Sequence, residues 1–265
     1  MVVAFFRRED SGFVAGELAV SRWSPDQVAG PAICGLLGRE LETHCPDNGF
    51  TPARLTVDLF RPVRNEPLTV HSAVVRDGTR VRVADAWIEQ QDEIRVRASV
   101  MFLATAQQPP GRLWQAHTPL PIPDIRLDDP AGQPPLFKSG DGDWSGDFAT
   151  AQNSERKSVW QNLPPLVAGE PISAFQRAAF LGDTTNMVCN WGTEGVGYIN
   201  SDMTLTLTRL PVGHELGLHA QDQVSADGIA VGTATLYDRL GRLGTCVVTC
   251  VANARRQVDL ADTAV

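Results

Sequence analysis

The chain repeats itself about half-way along, and this internal repeat constrains its fold more than any other feature. Ser24-Pro25-Asp26-Gln27 and Ser173-Ala174-Phe175-Gln176 both read as helix starts and lie 149 positions apart. In each, a Ser is followed three residues on by a Gln. In such a capping box the hydroxyl accepts from a free backbone N–H and the amide reaches back. At an offset of 148, Leu55, Val57 and Leu59 leading to Arg61 match Met203, Leu205 and Leu207 leading to Arg209. The match continues from Leu68, Val70 and His71 to Leu216, Leu218 and His219, and from Ala98 and Val100 to Cys246 and Val248. A single-residue gap between helix and first long strand reconciles the two offsets.

Each unit reads as an initial strand, one long amphipathic helix and four alternating strands. The spacing predicts helices over 25–43 and 174–188. It predicts strands near 52–60, 67–76, 80–90 and 94–104, then 197–208, 215–223, 229–238 and 243–252. Asp77-Gly78 and Asp227-Gly228 are hairpin turn signals, so the sheet is antiparallel. One apolar helix per antiparallel sheet gives an α+β fold. The expected divisions are an N-terminal unit at 1–105, a connection at 106–152, a C-terminal unit at 153–256 and a tail at 257–265. Eight prolines between Pro109 and Pro135 argue against regular structure in the connection. The tail reads as polar and frayed.

Charge narrows the partners. Lys and Arg number 23 against 31 Asp and Glu, a net charge of −8, which disfavours nucleic acid and anionic membrane. The opening MVVAFFRRED is too short and in the wrong order for a secretory apolar segment. No run of about 18 apolar residues predicts a membrane span. The five cysteines are odd in number and contain no CxxC, which points to a reducing cytoplasm.

Several motifs are weak or incomplete. Asp141 to Gly146 resembles the start of a calcium loop, but its twelfth position is Gln152 rather than Glu. Gly195-Val196-Gly197 lacks the third glycine of a dinucleotide loop, and no Gly-x-Ser-x-Gly elbow is present. His44, His71, His117, His214 and His219 include no pair at helical spacing, so no metal site is expected.

Val28-Ala29-Gly30-Pro31-Ala32, Phe60-Arg61-Pro62-Val63, Arg76-Asp77-Gly78 and Ala179-Phe180-Leu181-Gly182-Asp183 resemble segments of the acyl-CoA thioesterase II family and its actinobacterial thioesterase-like relatives. Tyr198-Ile199-Asn200-Ser201-Asp202 and Tyr237-Asp238-Arg239-Leu240-Gly241-Arg242 resemble the relatives' strand motifs. The resemblance implies a double hotdog, two tandem units pairing into one continuous sheet. It also implies hydrolysis of acyl-CoA to an acid and coenzyme A, the latter being part of the substrate, with no further cofactor.

The family pattern places an Asp on the second helix, a Thr on the next strand and a Gln on the last strand around a water. Here the Asp is Asp183, the Thr position is Asn200, and the Gln position is Val248 or Thr249. Asp183, Asn200 and Thr249 are therefore the candidate catalytic residues. Gly30, Arg61 and Arg209 are the candidate substrate-binding residues. Absence of the Gln keeps open a non-catalytic acyl-thioester binding protein, and another hotdog enzyme such as a hydratase remains a third reading. The family analogy also allows a homodimer or a higher oligomer.

Overall fold

A computed structural model describes residues 3–10, 12–46, 49–115 and 118–261. The first unit contains β1 (Phe6–Glu9), β2 (Gly12–Ala15), α1 (Gly30–Glu42), β3 (Phe50–Leu59), β4 (Thr69–Asp77), β5 (Val81–Gln90) and β6 (Glu93–Ala104). Between the units come β7 (Gln133–Ser139) and α2 (Phe148–Ala151). The second unit begins with β8 (Lys157–Asn162), α3 (Ala174–Asp183) and α4 (Thr185–Asn190). Then follow β9 (Trp191–Gly192), β10 (Gly195–Val196), β11 (Tyr198–Asn200), β12 (Asp202–Leu207), β13 (Glu215–Ala226), β14 (Ile229–Asp238) and β15 (Gly241–Ala252).

One eleven-stranded sheet runs β4-β5-β6-β3-β12-β15-β14-β13-β8-β7, with β11 also on β15. All of its ladders are antiparallel, as the hairpin turns require. The two halves join where β3 meets β12, and Thr56 lies directly opposite Thr204. Those two residues are 148 apart, the strand offset of the repeat. A pseudo-twofold axis therefore passes between them.

The same axis runs between the central helices. Gly38 of α1 approaches Ala179 while Gly30 approaches Asp183, so α1 and α3 run antiparallel. A Cβ on Gly38 would stand 2.9 Å from the Ala179 Cβ, so only glycine allows this spacing. Leu36, Leu37 and Leu41 of α1 and Phe175 and Leu181 of α3 are fully buried between helices and sheet. Each is worth about 1.5–3 kcal/mol of hydrophobic burial.

Three expectations are corrected. Helix α1 begins at Gly30 rather than Pro25, because the loop after β3 and the turn at 17–20 take the backbone of 27–29 through isolated bridges. The Val28 N–H bonds the Val63 carbonyl at 2.9 Å and the Ala29 N–H bonds the Ala19 carbonyl at 2.7 Å. Ser24 thus caps a turn, not the helix. Ser173 does cap α3, accepting from the Gln176 N–H at 3.1 Å, but Gln176 reaches to Glu42 instead of back. The second helix is also broken at Thr184 into α3 and α4.

The connection is not structureless. Pro134 and Pro135 lie in β7, an edge strand whose pairing with β8 shifts register between Gln133 and Leu136. A sheet edge tolerates the missing N–H groups. Upstream of β7, the connection is clamped by Arg239, which bonds the carbonyls of Pro123 and Ile125, and by Tyr237, which bonds that of Pro121. The tail is likewise tied down: Val258 exchanges backbone bonds of 3.0 and 2.9 Å with Val196, and Leu260 is buried.

Candidate active site

A cavity of about 620 Å³ opens between the N-terminus of α1, the C-terminal end of α3 and the end of β3. Its walls are mainly apolar and include Val20, Trp23, Phe60, Val63, Met187 and Ile199. Val258 and Leu260 of the tail close one side. A smaller, more polar cavity of about 490 Å³ lies beyond α4, next to Asn190 and Gln223.

Asp183 forms part of the larger cavity's wall, yet it is 5% exposed. Both of its side-chain hydrogen bonds fall on Oδ1. Asn200 Nδ2 donates at 2.7 Å, and the Cys34 thiol donates at 3.7 Å. Oδ2 is turned to Gly30, where an added Cβ would stand only 2.5 Å away. Burial raises the carboxyl's pKa to about 6, against the opposing effect of the Asn200 and Cys34 hydrogen bonds. Desolvation dominates because little water reaches the group. Burial, with Asp183 beside it, also pushes the Cys34 thiol well above its usual range, so it stays protonated.

Helix α1 contributes more than a packing surface. Its first turn carries N–H groups with no intrahelical acceptor, and Gly30 and Ala32 of that turn line the cavity. Pro31 has none to offer. The positive end of the helix dipole points the same way.

The sequence-derived candidates divide. Asp183, Asn200 and Gly30 meet at one point, and Arg61 stands at the cavity mouth with its side chain 57% exposed and Glu93 at 3.5 Å. Thr249 does not belong to the site. It lies between Val248 and Cys250, both fully buried, so its side chain points to the opposite face of β15. Its backbone N–H bonds Asp202 at 2.8 Å. The other Gln alternative, Val248, faces the core but has no polar group.

Arg209 is also placed elsewhere. Because β3 and β12 are antiparallel, Arg61 and Arg209 end up at opposite ends of the sheet. Arg209 forks onto Asp238, which has no exposed side-chain surface, at 2.6 and 2.7 Å. Burial works against the Asp238 carboxylate, but this pair and the N–H groups of Val212 and Leu240 hold its pKa below the usual range.

Sequence reasoning missed Asn186, which is 7% exposed and lines the cavity. The signal was present: Asp183, Asn186 and Asn190 are spaced i, i+3, i+7, which sets a carboxyl and two amides in one stripe at helical spacing. At the helix offset of 149 the counterparts of Asp183 and Asn186 are Cys34 and Leu37, and at the strand offset of 148 that of Asn200 is Pro52. The first unit therefore has no equivalent carboxylate or amide.

Two antiparallel units around paired central helices, with one buried carboxylate beside an apolar cavity, define a double hotdog protein with a single candidate site. Comparison with known proteins agrees. Residues 19–103 match the acyl-CoA thioesterase N-terminal domain and residues 126–251 match the acyl-CoA thioesterase C-terminal domain. These matches take in most of the chain, and the chain belongs to the acyl-CoA thioesterase family.

Solved structures share the fold across nearly the whole length. The tesB protein of Mycobacterium avium subspecies paratuberculosis is 16% identical, with 93% of this chain and 95% of that chain covered and a TM-score of 0.65. A putative thioesterase II from Thermobifida fusca is 13% identical, with coverages of 94% and 97% and a TM-score of 0.68. A hot dog fold protein of unknown function from Alicyclobacillus acidocaldarius is 14% identical, with coverages of 95% and 96% and a TM-score of 0.66. No curated protein matches. Among the described residues no helix is long and apolar enough to cross a membrane.

Proposed function

We propose that this protein hydrolyses acyl-CoA thioesters, with Asp183 as the general base. The observation that carries the reading is a buried carboxylate whose pKa is about 6, set in the wall of an apolar cavity at a helix N-terminus. Such a base is ionised at neutral pH and still basic enough to take a proton from water.

The acyl group enters the apolar cavity, and the coenzyme remains at its mouth beside Arg61. Water lies between Asp183 and the thioester carbonyl. Asp183 removes a proton as the water oxygen bonds to the carbonyl carbon, and the carbonyl oxygen becomes an oxyanion. The free N–H groups of Gly30 and Ala32 are the donors available to that oxyanion. The carbonyl then re-forms as the C–S bond breaks, and the departing thiolate takes the proton that Asp183 had removed, which regenerates the carboxylate. Asn200 holds the base by donating to Oδ1, which leaves Oδ2 for the water.

The test is free-thiol release from a panel of short, long and aromatic acyl-CoAs, for wild type and Asp183→Asn. The expected result is turnover in wild type with an acidic limb near pH 6, reduced in the variant by about 10²–10⁴-fold. Equal turnover by both proteins overturns the role of Asp183. A second reading has a specific observation in its favour: Val248, at a position where the family has Gln, offers no polar group to water. A protein that binds acyl-CoA without turnover would show saturable binding and no thiol release with every ester.

A further inference from the structure

Asp183 stands at the end of an unbroken row of side-chain amides. Gln223 Nε2 donates to Asn190 Oδ1 at 3.2 Å, and Asn190 Nδ2 donates to Asn186 Oδ1 at 2.9 Å. Asn186 Nδ2 donates to Asn200 Oδ1 at 3.4 Å, and Asn200 Nδ2 donates to Asp183 Oδ1 at 2.7 Å. Every link points the same way, from exposed Gln223 to the buried carboxylate.

The direction is fixed by two groups that can only accept. Turning an amide over exchanges its donor and acceptor ends. Asn186 Nδ2 also donates to the Tyr198 carbonyl at 2.9 Å, so Asn186 has only one orientation. Its Oδ1 then faces the Asn190 amide and the Cys250 thiol, which donates at 3.4 Å. At the other end the ionised carboxylate accepts only, so it needs the donor end of Asn200. Asn200 is held between an obligate donor and an obligate acceptor.

We propose that Asn186 is a positioning residue for Asp183, holding the Asn200 amide with its N–H groups turned to the carboxylate. It does not touch the reacting atoms. With Asn186 absent, Asn200 Oδ1 loses its donor, and the amide is free to turn its oxygen toward Asp183. This proposal rests on the hydrolase reading for its kinetic arm only. The hydrogen-bonded row is not a requirement of the hotdog scaffold, because the first unit has Leu37, Leu41, Pro52 and Val75 at the corresponding positions.

The neighbours of Asp183 leave its titration readable. Cys34 on α1 and Cys246 on β15 are pushed up by burial and remain neutral. Cys250 on β15 is likewise raised by burial, to about 12. Asp202 on β12 is engaged by the Thr249 N–H at 2.8 Å. Arg22 and Arg61 are the charged residues that share the cavity wall with Asp183.

The experiment has two readouts on Asn186→Ala and Asn190→Ala. One is the ¹³C carboxyl titration of Asp183 in protein labelled at aspartate, with the signal assigned by its loss in Asp183→Asn. The other is the pH profile of thiol release from an acyl-CoA that the wild type hydrolyses. A hydrogen bond to a charged group is stronger than a neutral one, and bonds in a row reinforce each other.

Asn186→Ala is therefore expected to move the Asp183 midpoint up by about half to one pH unit and to lower kcat about tenfold or more at neutral pH. Asn190→Ala, whose residue is half-buried, should shift both in the same direction by less. An unmoved carboxyl midpoint in both folded variants overturns the proposal, even if activity falls. A shifted midpoint with no thiol release from any protein supports the positioning role and overturns the hydrolase reading.

Discussion

Replacing Asp183 by Asn should make the protein more stable while disabling it. The folded carboxyl has a pKa of about 6 against an ordinary value of 3.8, so its ionised form is disfavoured in the folded state. At about 1.4 kcal/mol per pKa unit this costs about 3 kcal/mol at pH 8. Asp183 is 5% exposed, so solvent screening takes little from that figure. The sign follows from a folded pKa above the unfolded one. The neutral form's advantage is complete below about pH 4 and is lost as pH rises through 6.

An Asn at this position keeps the acceptor for Asn200 and places its own N–H groups toward the cavity. It removes the charge and therefore the penalty. The variant should melt about 6–12 °C above wild type at pH 8, given about 2–4 °C per kcal/mol for a chain of this size. At pH 4.5 the same linkage leaves only about 1 kcal/mol, so the gap should shrink to a few degrees. Calorimetry at the two pH values measures both. A variant that melts at or below wild type at pH 8, or a gap independent of pH, refutes the argument that burial tunes this acid.

The other predictions probe the neighbours. Gly30→Ala puts a Cβ about 2.5 Å from Asp183 Oδ2, so the carboxylate or the helix start must move; kcat/KM should fall about tenfold or more, with about 1–3 kcal/mol lost in denaturant melts. Arg209→Ala strands the buried Asp238 carboxylate and should cost about 3–5 kcal/mol, while the KM for acyl-CoA in the remaining folded enzyme stays unchanged. Arg61→Ala breaks only an exposed pair with Glu93, so the melting temperature should move by about 1 kcal/mol equivalent or less, and a rise in KM for coenzyme A esters would place the residue at the coenzyme.

The sheet was legible because its signals are local. Alternation and the two Asp-Gly turns locate the long strands to within about three residues, and the repeat offset carries over to the pairing of Thr56 with Thr204. The start of α1 was not legible. Ser24 and Pro25 carry helix-start chemistry, but the turn at 17–20 and the loop after β3 claim the backbone of residues 27–29, which no local pattern records. Thr249 shows how strict a strand is: one residue decides which face a side chain takes. Arg209 failed because a repeat read in sequence does not say that the two copies point in opposite directions. Asp183 and Asn200 were reached through family resemblance, whereas the network behind them needs three-dimensional contact between α4, β11 and β13.

The near-coincidence of Asp183 with the pseudo-twofold axis has a consequence for how such a protein can arise. In a dimer of identical subunits, any residue close to the axis meets its own copy. An acid here would face a second acid at about the distance that now separates Asp183 from the Cys34 thiol, 3.7 Å. Two carboxylates that close cannot both ionise, and one would stay protonated. Fusing the halves into one polypeptide lifts that symmetry constraint, because each half can then mutate alone. Here one half carries the acid with amides around it. The other has the neutral Cys34 at the matching position, so no second charge opposes the ionisation of Asp183.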